Sequence, residues 1–194
     1  MAIIHAFRNQ FMSPSLSFPD GEAYIVESAV KGEASAFGLL YDHYQPKIYR
    51  FVFIKVSRRE DAEDLTHQVF LNAWQNITRY KNIGFPFSSW LYQIARNQVI
   101  DFYRTRKTEA RIDEVAPEYF LSPAVAEFEI DQNIELTRVR EAILKLKPDY
   151  QDVVIMRFVE ELSPKEVAAA VKKSEGAVKL IQHRAIKQLK QLLQ

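Results

Sequence analysis

The chain of 194 residues, 47% hydrophobic and 12% aromatic, is long enough to bury a core in one domain or two small ones, which excludes a fibrous or wholly disordered polymer. It has no cysteine, so disulfide frameworks and thiolate metal sites are excluded and a reducing compartment is the natural expectation. A net charge of +1 hides an asymmetry: residues 1–107 carry 13 basic and 10 acidic side chains, residues 108–135 carry 1 and 8, and residues 136–194 carry 12 and 7. Two basic blocks flank an acidic connector.

The opening stretch, MAIIHAFRNQFMSPSLSFPDG, lacks a charged n-region followed by a long apolar block. No later segment offers the roughly 18 uncharged apolar residues of a membrane span, so neither export nor spanning is expected, and the expected location is the cytoplasm. Residues 1–25 read as an extension, with disorder the expected state and no role assigned. Only five glycines and few alternating apolar/polar runs predict an all-α chain. Its expected layout is two small helical domains, residues 26–107 and 132–194, joined by a flexible acidic linker at 108–131.

Phe37, Leu40, Tyr44, Ile48 and Phe51 recur at helical spacing, and Pro46, having no N–H, is expected to break or kink that segment. A second helix is predicted from about Glu60, with Leu65, Val69, Ala73 and Ile77 as its apolar stripe. Asp61, Glu63 and Asp64 sit in its first turns, where carboxylates favour the positive helix end, and its opposite face shows Asp64, Gln68, Leu71 and Gln75. RYKNIGFPF reads as a loop punctuated by Gly84 and Pro86, and a strongly apolar helix is predicted from about Ser88 to Lys107. Around that loop crowd Tyr80, Phe85, Phe87 and Trp90, with Arg79, Lys81, Arg96, Arg104, Arg106 and Lys107 nearby. Aromatics alone would read as core. Interleaved with cations they suit unpaired bases, which stack at roughly 1–3 kcal/mol each while the cations hold the backbone. The helix that follows leaves Gln93, Arg96, Asn97, Ile100 and Arg104 opposite its core stripe, a face able to read base edges and phosphates.

Residues 108–131 hold two prolines, many acids and no sustained period, as a linker does, with room for one short helix. Beyond it Leu136, Val139, Ile143 and Leu146 predict a helix that stops at Pro148, and a second helix after Asp149 carries Val154 and Phe158. Ser163, Pro164 and Glu166 form a capping box: the serine accepts from an orphan N–H, proline fits the first helical position and the glutamate reaches back. Lys172 and Lys173 make a short turn, Ser174 is a second N-cap, and a helix runs to the C-terminus. Two helices joined so tightly predict a helix-turn-helix. On the last helix Val178, Ile181, Ala185, Leu189 and Leu192 fall on one side and Lys179, His183, Lys187 and Lys190 nearly opposite. Six Lys/Arg against the single acid Glu175 from Lys172 onward is the balance a phosphate-facing helix needs.

The runs DAEDLTHQVFLNAW, SSWLYQIARNQVIDFYR and LSPKEVAAAVKKSEGAVKLIQHRAIKQL resemble the extracytoplasmic-function (ECF) group of bacterial RNA polymerase sigma factors, over residues from about 33 to 107 and 132 to 192. The resemblance implies a protein that joins core polymerase through its clamp and flap, directs it to promoter DNA and helps open the duplex. It implies that Asp61, Asp64, Leu65, Gln68 and Leu71 contact core polymerase. It assigns Tyr80, Phe85, Phe87, Trp90, Arg96, Asn97 and Arg104 to the minus-ten element, whose non-template bases are flipped and captured. It assigns Ser174, Lys179, Gln182, His183, Arg184 and Lys187 to the minus-thirty-five major groove, the acidic linker to the polymerase channel, and an anti-sigma factor to the list of partners. Two positions depart from the pattern: His67-Gln68 stands where many members have Gln-Glu, and Leu180-Ile181 where many have Ser-Arg.

Two other functions would use part of these residues. A stand-alone helix-turn-helix regulator would bind duplex DNA through the C-terminal domain, but it leaves the aromatic loop and the Asn/Arg face unused. An enzyme such as a metal-dependent hydrolase would need a constellation that the scattered His5, His43, His67 and His183 do not form. No catalysis, cofactor, metal or small-molecule substrate is expected.

Overall fold

The computed structural model describes residues 21–81, 84–112 and 134–194, and every described regular element is helical. Residues 1–20 of the extension expected at 1–25, and residues 113–131 of the linker expected at 108–131, lie outside the described residues.

The first helix, α1 (Glu22–Val30), begins ahead of the boundary expected after residue 25 and buries Ile25, Val26 and Ala29. It ends where Gly32 takes a positive φ of 95°, so that the Gly32 N–H reaches the Ala29 carbonyl (3.0 Å) and the Glu33 N–H the Ser28 carbonyl (3.1 Å). That crossed pair satisfies the orphan carbonyls of the last turn. Next comes α2 (Ala34–Val56), which continues through Pro46, so that of the expected break or kink the break does not occur. Proline removes one backbone bond, but Tyr44, Ile48, Phe51, Val52 and Ile54 on both sides of it are buried, and their packing holds the helix together.

After Ser57 (φ 74°) comes α3 (Arg59–Asn76), with Glu60 and Asp61 in its first turn; it buries Ala62, Leu65, Val69, Phe70 and Ala73 against α2. A 3₁₀ turn, Ile77–Arg79, leads to the loop, and α4 (Phe87–Ile112) starts one residue early and passes the expected linker boundary at 108. These four helices pack as one bundle.

The second domain holds α5 (Ile134–Leu144), α6 (Pro148–Val154) followed by a single wide π turn (Ile155–Val159), α7 (Pro164–Val171) and α8 (Glu175–Leu193). The capping box is formed as read: Ser163 Oγ accepts from the Glu166 N–H (3.2 Å) and the Glu166 carboxylate from the Ser163 N–H (2.6 Å). Lys172 supplies the left-handed residue of the turn (φ 54°), and Ser174 Oγ caps α8 by accepting from the Ala177 N–H (3.2 Å). The two domains do not stand apart. Helix α4 lies against α7, and one buried apolar cluster runs from Ile25 through Leu91 to Leu189.

Candidate nucleic-acid interface

Tyr80, Phe87 and Trp90 form a ring cluster with centroids 5.2–5.5 Å apart, and Tyr44 closes it from α2 at 5.7 Å from Phe87. Phe87 is only 2% exposed. The expectation that it meets a base is therefore corrected: as the first residue of α4 it points inward and serves as the floor of the cluster. Tyr80, Trp90 and Phe85 are half-buried, and the Tyr80 hydroxyl donates to the Phe85 carbonyl at 3.4 Å. Beside them lies a groove of about 400 Å³ whose walls include Val26, Glu27, Tyr80 and Pro86. Its lining is mainly apolar, and the Glu22 and Glu27 carboxylates of α1 also stand among its walls.

On α4, Asn97, Ile100 and Arg104 are exposed, with Arg104 held 3.1 Å from Asp101. Arg96 is otherwise placed. Its guanidinium donates to Asp152 (2.7 Å) and Asp149 (3.0 Å) of the second domain. Burial acts to lower its pKa, and the two carboxylates, Asp152 foremost, more than offset this and leave it raised.

The outer face of α8 carries exposed Lys179, Leu180, His183, Arg184, Lys187 and Lys190, all presented beyond the capped turn at Ser174. Lys179 pairs with Glu175 one turn back (2.9 Å). Gln182 is turned partly inward, where its side-chain oxygen accepts from Arg157 Nε at 3.0 Å. Val178, Ala185 and Leu189 anchor the inner face, while Leu192, assigned to it on spacing, is 39% exposed near the helix end.

On α3 the outward Asp64, Gln68 and Leu71 are exposed as the periodicity requires, and Trp74 joins them at 40% exposure. Leu65 is 8% exposed and belongs to the core, so the structure corrects its assignment to a contact surface: it faces α2 with the stripe Val69 and Ala73. Asp61 is held by Arg106 (3.2 Å) and Arg58 (3.8 Å) and is half-buried.

What the sequence reading missed lies between the domains. Arg50 grips Glu160 with two bonds of 2.6 and 2.7 Å, the Tyr92 hydroxyl donates to the same carboxylate at 3.0 Å, and Lys55 pairs with Asp152. Burial pushes the Glu160 carboxyl above its ordinary range against the pull of Arg50, and burial beside Glu160 raises the Tyr92 phenol strongly. The available signal was a lone charge in an apolar run, Lys55 in FVFIKV and Asp152 in DVVIM, since such a charge must find a partner.

Among the described residues no helix is long and apolar enough to cross a membrane, and no three metal-ligating side chains converge. A capped helix-turn-helix with a cationic outer face, attached to a bundle that carries an aromatic loop, is the build of a sigma-type transcription factor. Residues 40–109 match the family Sigma-70 region 2, and residues 136–189 the family Sigma-70, region 4. The chain is 38% identical over 173 residues to the ECF RNA polymerase sigma factor BldN of Streptomyces coelicolor, covering 87% of this chain and 64% of that protein. It is 32% identical over 177 residues to the ECF RNA polymerase sigma factor SigW of Bacillus subtilis, covering 87% of this chain and 94% of that one. The fold is shared with the sigma factor RpoE of Bartonella quintana, solved in complex with the anti-sigma factor NepR (TM-score 0.66, 22% identity, 81% of this chain and 96% of that one). The chain belongs to the ECF sigma factors of the sigma-70 family.

Proposed function

We propose that this chain is the promoter-specificity subunit of a bacterial RNA polymerase: it binds the core enzyme, recognises minus-ten and minus-thirty-five elements, and assists opening of the duplex. The observation that carries this reading is the presence, on one chain, of three separate exposed surfaces of different chemistry. The α3 face (Asp64, Gln68, Leu71) suits a protein partner, the half-buried aromatics with Asn97 and Arg104 suit an unpaired strand, and the cationic face of α8 suits a major groove. A stand-alone regulator would account for the last surface only.

In this reading α8 enters the minus-thirty-five groove with Lys179, His183 and Arg184 toward bases and Lys187 toward phosphate. Tyr80, Phe85 and Trp90 then hold bases flipped from the minus-ten element, the unstacking cost being recovered by stacking on the rings. The His67-Gln68 pair leaves the α3 surface one negative charge short of the commoner Gln-Glu, and so weaker in its ionic attraction to a basic clamp. The protein works in the cytoplasm, catalyses no reaction of its own, and is held in check by an anti-sigma partner, as the solved complex of RpoE with NepR suggests for a relative of this fold.

The test is co-purification with core polymerase followed by run-off transcription on genomic fragments. Promoter-specific transcripts that depend on the chain, and that vanish with Phe85→Ala and Trp90→Ala together, are the expected result. Duplex DNA binding without any association with core would replace this reading with that of an ordinary regulator.

A further inference from the structure

At about 100° per residue, Leu180 lies about 140–180° around the α8 axis from Val178, Ala185 and Leu189, the side chains buried on its inner face. It is 50% exposed, while its neighbour Ile181 packs against the core, so the helix is anchored without it. A single exposed leucine is ordinary on a protein surface and by itself asks for no partner. The setting of this one is what asks for one. Exposed His183, Arg184 and Lys187 all lie within about 60° of it around the axis, which makes Leu180 the apolar centre of a cationic face.

The side chains around it leave it a clear approach. Gln182 is turned inward to Arg157, and Lys179 is drawn back toward Glu175. Gly176, one turn ahead on the same side, carries no side chain, and a Cβ built there would meet no other atom of the chain within 4 Å. The row Gly176, Leu180, His183 thus stands clear near the start of α8, the end of a recognition helix that reaches base edges. Lys187 lies two turns further along, where it can meet a phosphate. A leucine side chain neither donates nor accepts a hydrogen bond. Among the groups on the floor of a major groove it therefore has one match, the C5 methyl of thymine, whereas a serine in its place would bond to any base.

We propose that Leu180 is a specificity-determining residue of this chain, seating the C5 methyl of one thymine in the minus-thirty-five duplex. The cations around it draw α8 to phosphates whatever the sequence, and the leucine makes one base pair of the groove selective for thymine. The preference comes from removing two apolar groups from water at once, one on the protein and one on the DNA. The inference rests on the sigma reading for which promoter element α8 enters, and on nothing else in it: a stand-alone regulator that placed α8 in a major groove would make the same contact.

Duplexes are selected from a random-sequence library by the full chain, once together with core RNA polymerase and once alone. Every thymine of the selected sites is then replaced singly by uracil, which removes the methyl and nothing else, and affinity is read by competition. The wild type loses about fourfold at one thymine, the change that corresponds to one methyl group returned to water. Leu180→Ala binds the thymine and uracil duplexes equally at that position. It also keeps the wild-type melting temperature and the wild-type slope of log affinity against log salt, since neither the core nor a phosphate contact depends on Leu180. The proposal is overturned if no single uracil weakens the wild type, if every such loss persists in Leu180→Ala, or if Leu180→Ala lowers the salt slope as the loss of a cation would. Selection that needs core supports the sigma reading. Selection by the chain alone, with no association with core, replaces that reading and leaves the uracil test standing, and failure to select any sequence in either arm sinks both.

Discussion

Phe85 and Phe87 are two residues apart, yet one is half-buried and the other fully buried, and a pair of alanine variants tests the different roles proposed for them. Phe87 is 2% exposed and wedged among Tyr44, Tyr80 and Trp90 at centroid distances of 5.4–5.7 Å. Truncating a buried phenylalanine costs about 3–5 kcal/mol, which is about 12 °C or more in the melting temperature of a domain of this size. Phe85 is half-buried, and its contact with the Lys165 ammonium at 5.6 Å is worth about 0.5–1 kcal/mol. Phe85→Ala therefore shifts melting by only a few degrees. What it removes is a stacking platform worth roughly 1–3 kcal/mol per base, or about 5- to 150-fold in affinity for a non-template strand. Thermal unfolding by circular dichroism gives the first quantity, and anisotropy of a labelled minus-ten strand with the core-bound protein gives the second. If Phe87→Ala melts with the wild type, or if Phe85→Ala holds the strand as tightly, the division of labour drawn here is wrong.

Lys187→Ala on α8 lowers the slope of log affinity against log salt by about 0.9, the release of one counterion, with little change in sequence preference; an unchanged slope means that this face is merely solvated. Ser163→Ala removes the acceptor of a complete capping box and costs about 1 kcal/mol, read as a lower urea midpoint at unchanged m-value. Glu160 gives a pH test. Burial holds its folded pKa above 4.5, so the folded chain carries more of its proton than the unfolded chain does. Its contribution to stability therefore falls as pH rises from 4.5 through the folded value. Denaturant unfolding of the wild type and of Glu160→Gln up to about pH 7 should show the wild type losing ground to the variant with rising pH, and a difference running the other way refutes the assignment.

Much of this fold is legible because its signals are local. The Ser163 to Glu166 box marks the start of α7 to the residue, and the Ser174 cap does the same for α8, since both depend on atoms within three residues of each other. The periodicity of α3 likewise separates Leu65, Val69 and Ala73 from Asp64, Gln68 and Leu71. Leu65 was nevertheless offered as a contact as well, because the family resemblance covers a helix and not a face. Pro46 does not end its helix because propensity describes an isolated helix, whereas burial of the residues on both sides of it keeps the segment helical. Phe87 misled because an aromatic written next to cations looks the same whether it is floor or wall of a pocket. The ion pairs of Arg50, Lys55 and Arg96 were illegible for a different reason. Their partners are 53 to 110 residues away, and no local rule joins positions so distant.

The π turn at Ile155–Val159 has a bearing on how relatives of this chain should be aligned. Eight residues separate Asp152 from Glu160, and at about 100° per residue an uninterrupted α-helix would set them about 80° apart around its axis. A wide turn takes up one surplus residue without advancing the helix, so the effective step is seven and the two carboxylates fall within about 20° of each other. The bulge thus works as a phase corrector for an inserted residue. A relative with a plain helix at this point would carry its counterpart of Glu160 seven positions after its counterpart of Asp152, and a gapless alignment would set the wrong residue opposite Arg50.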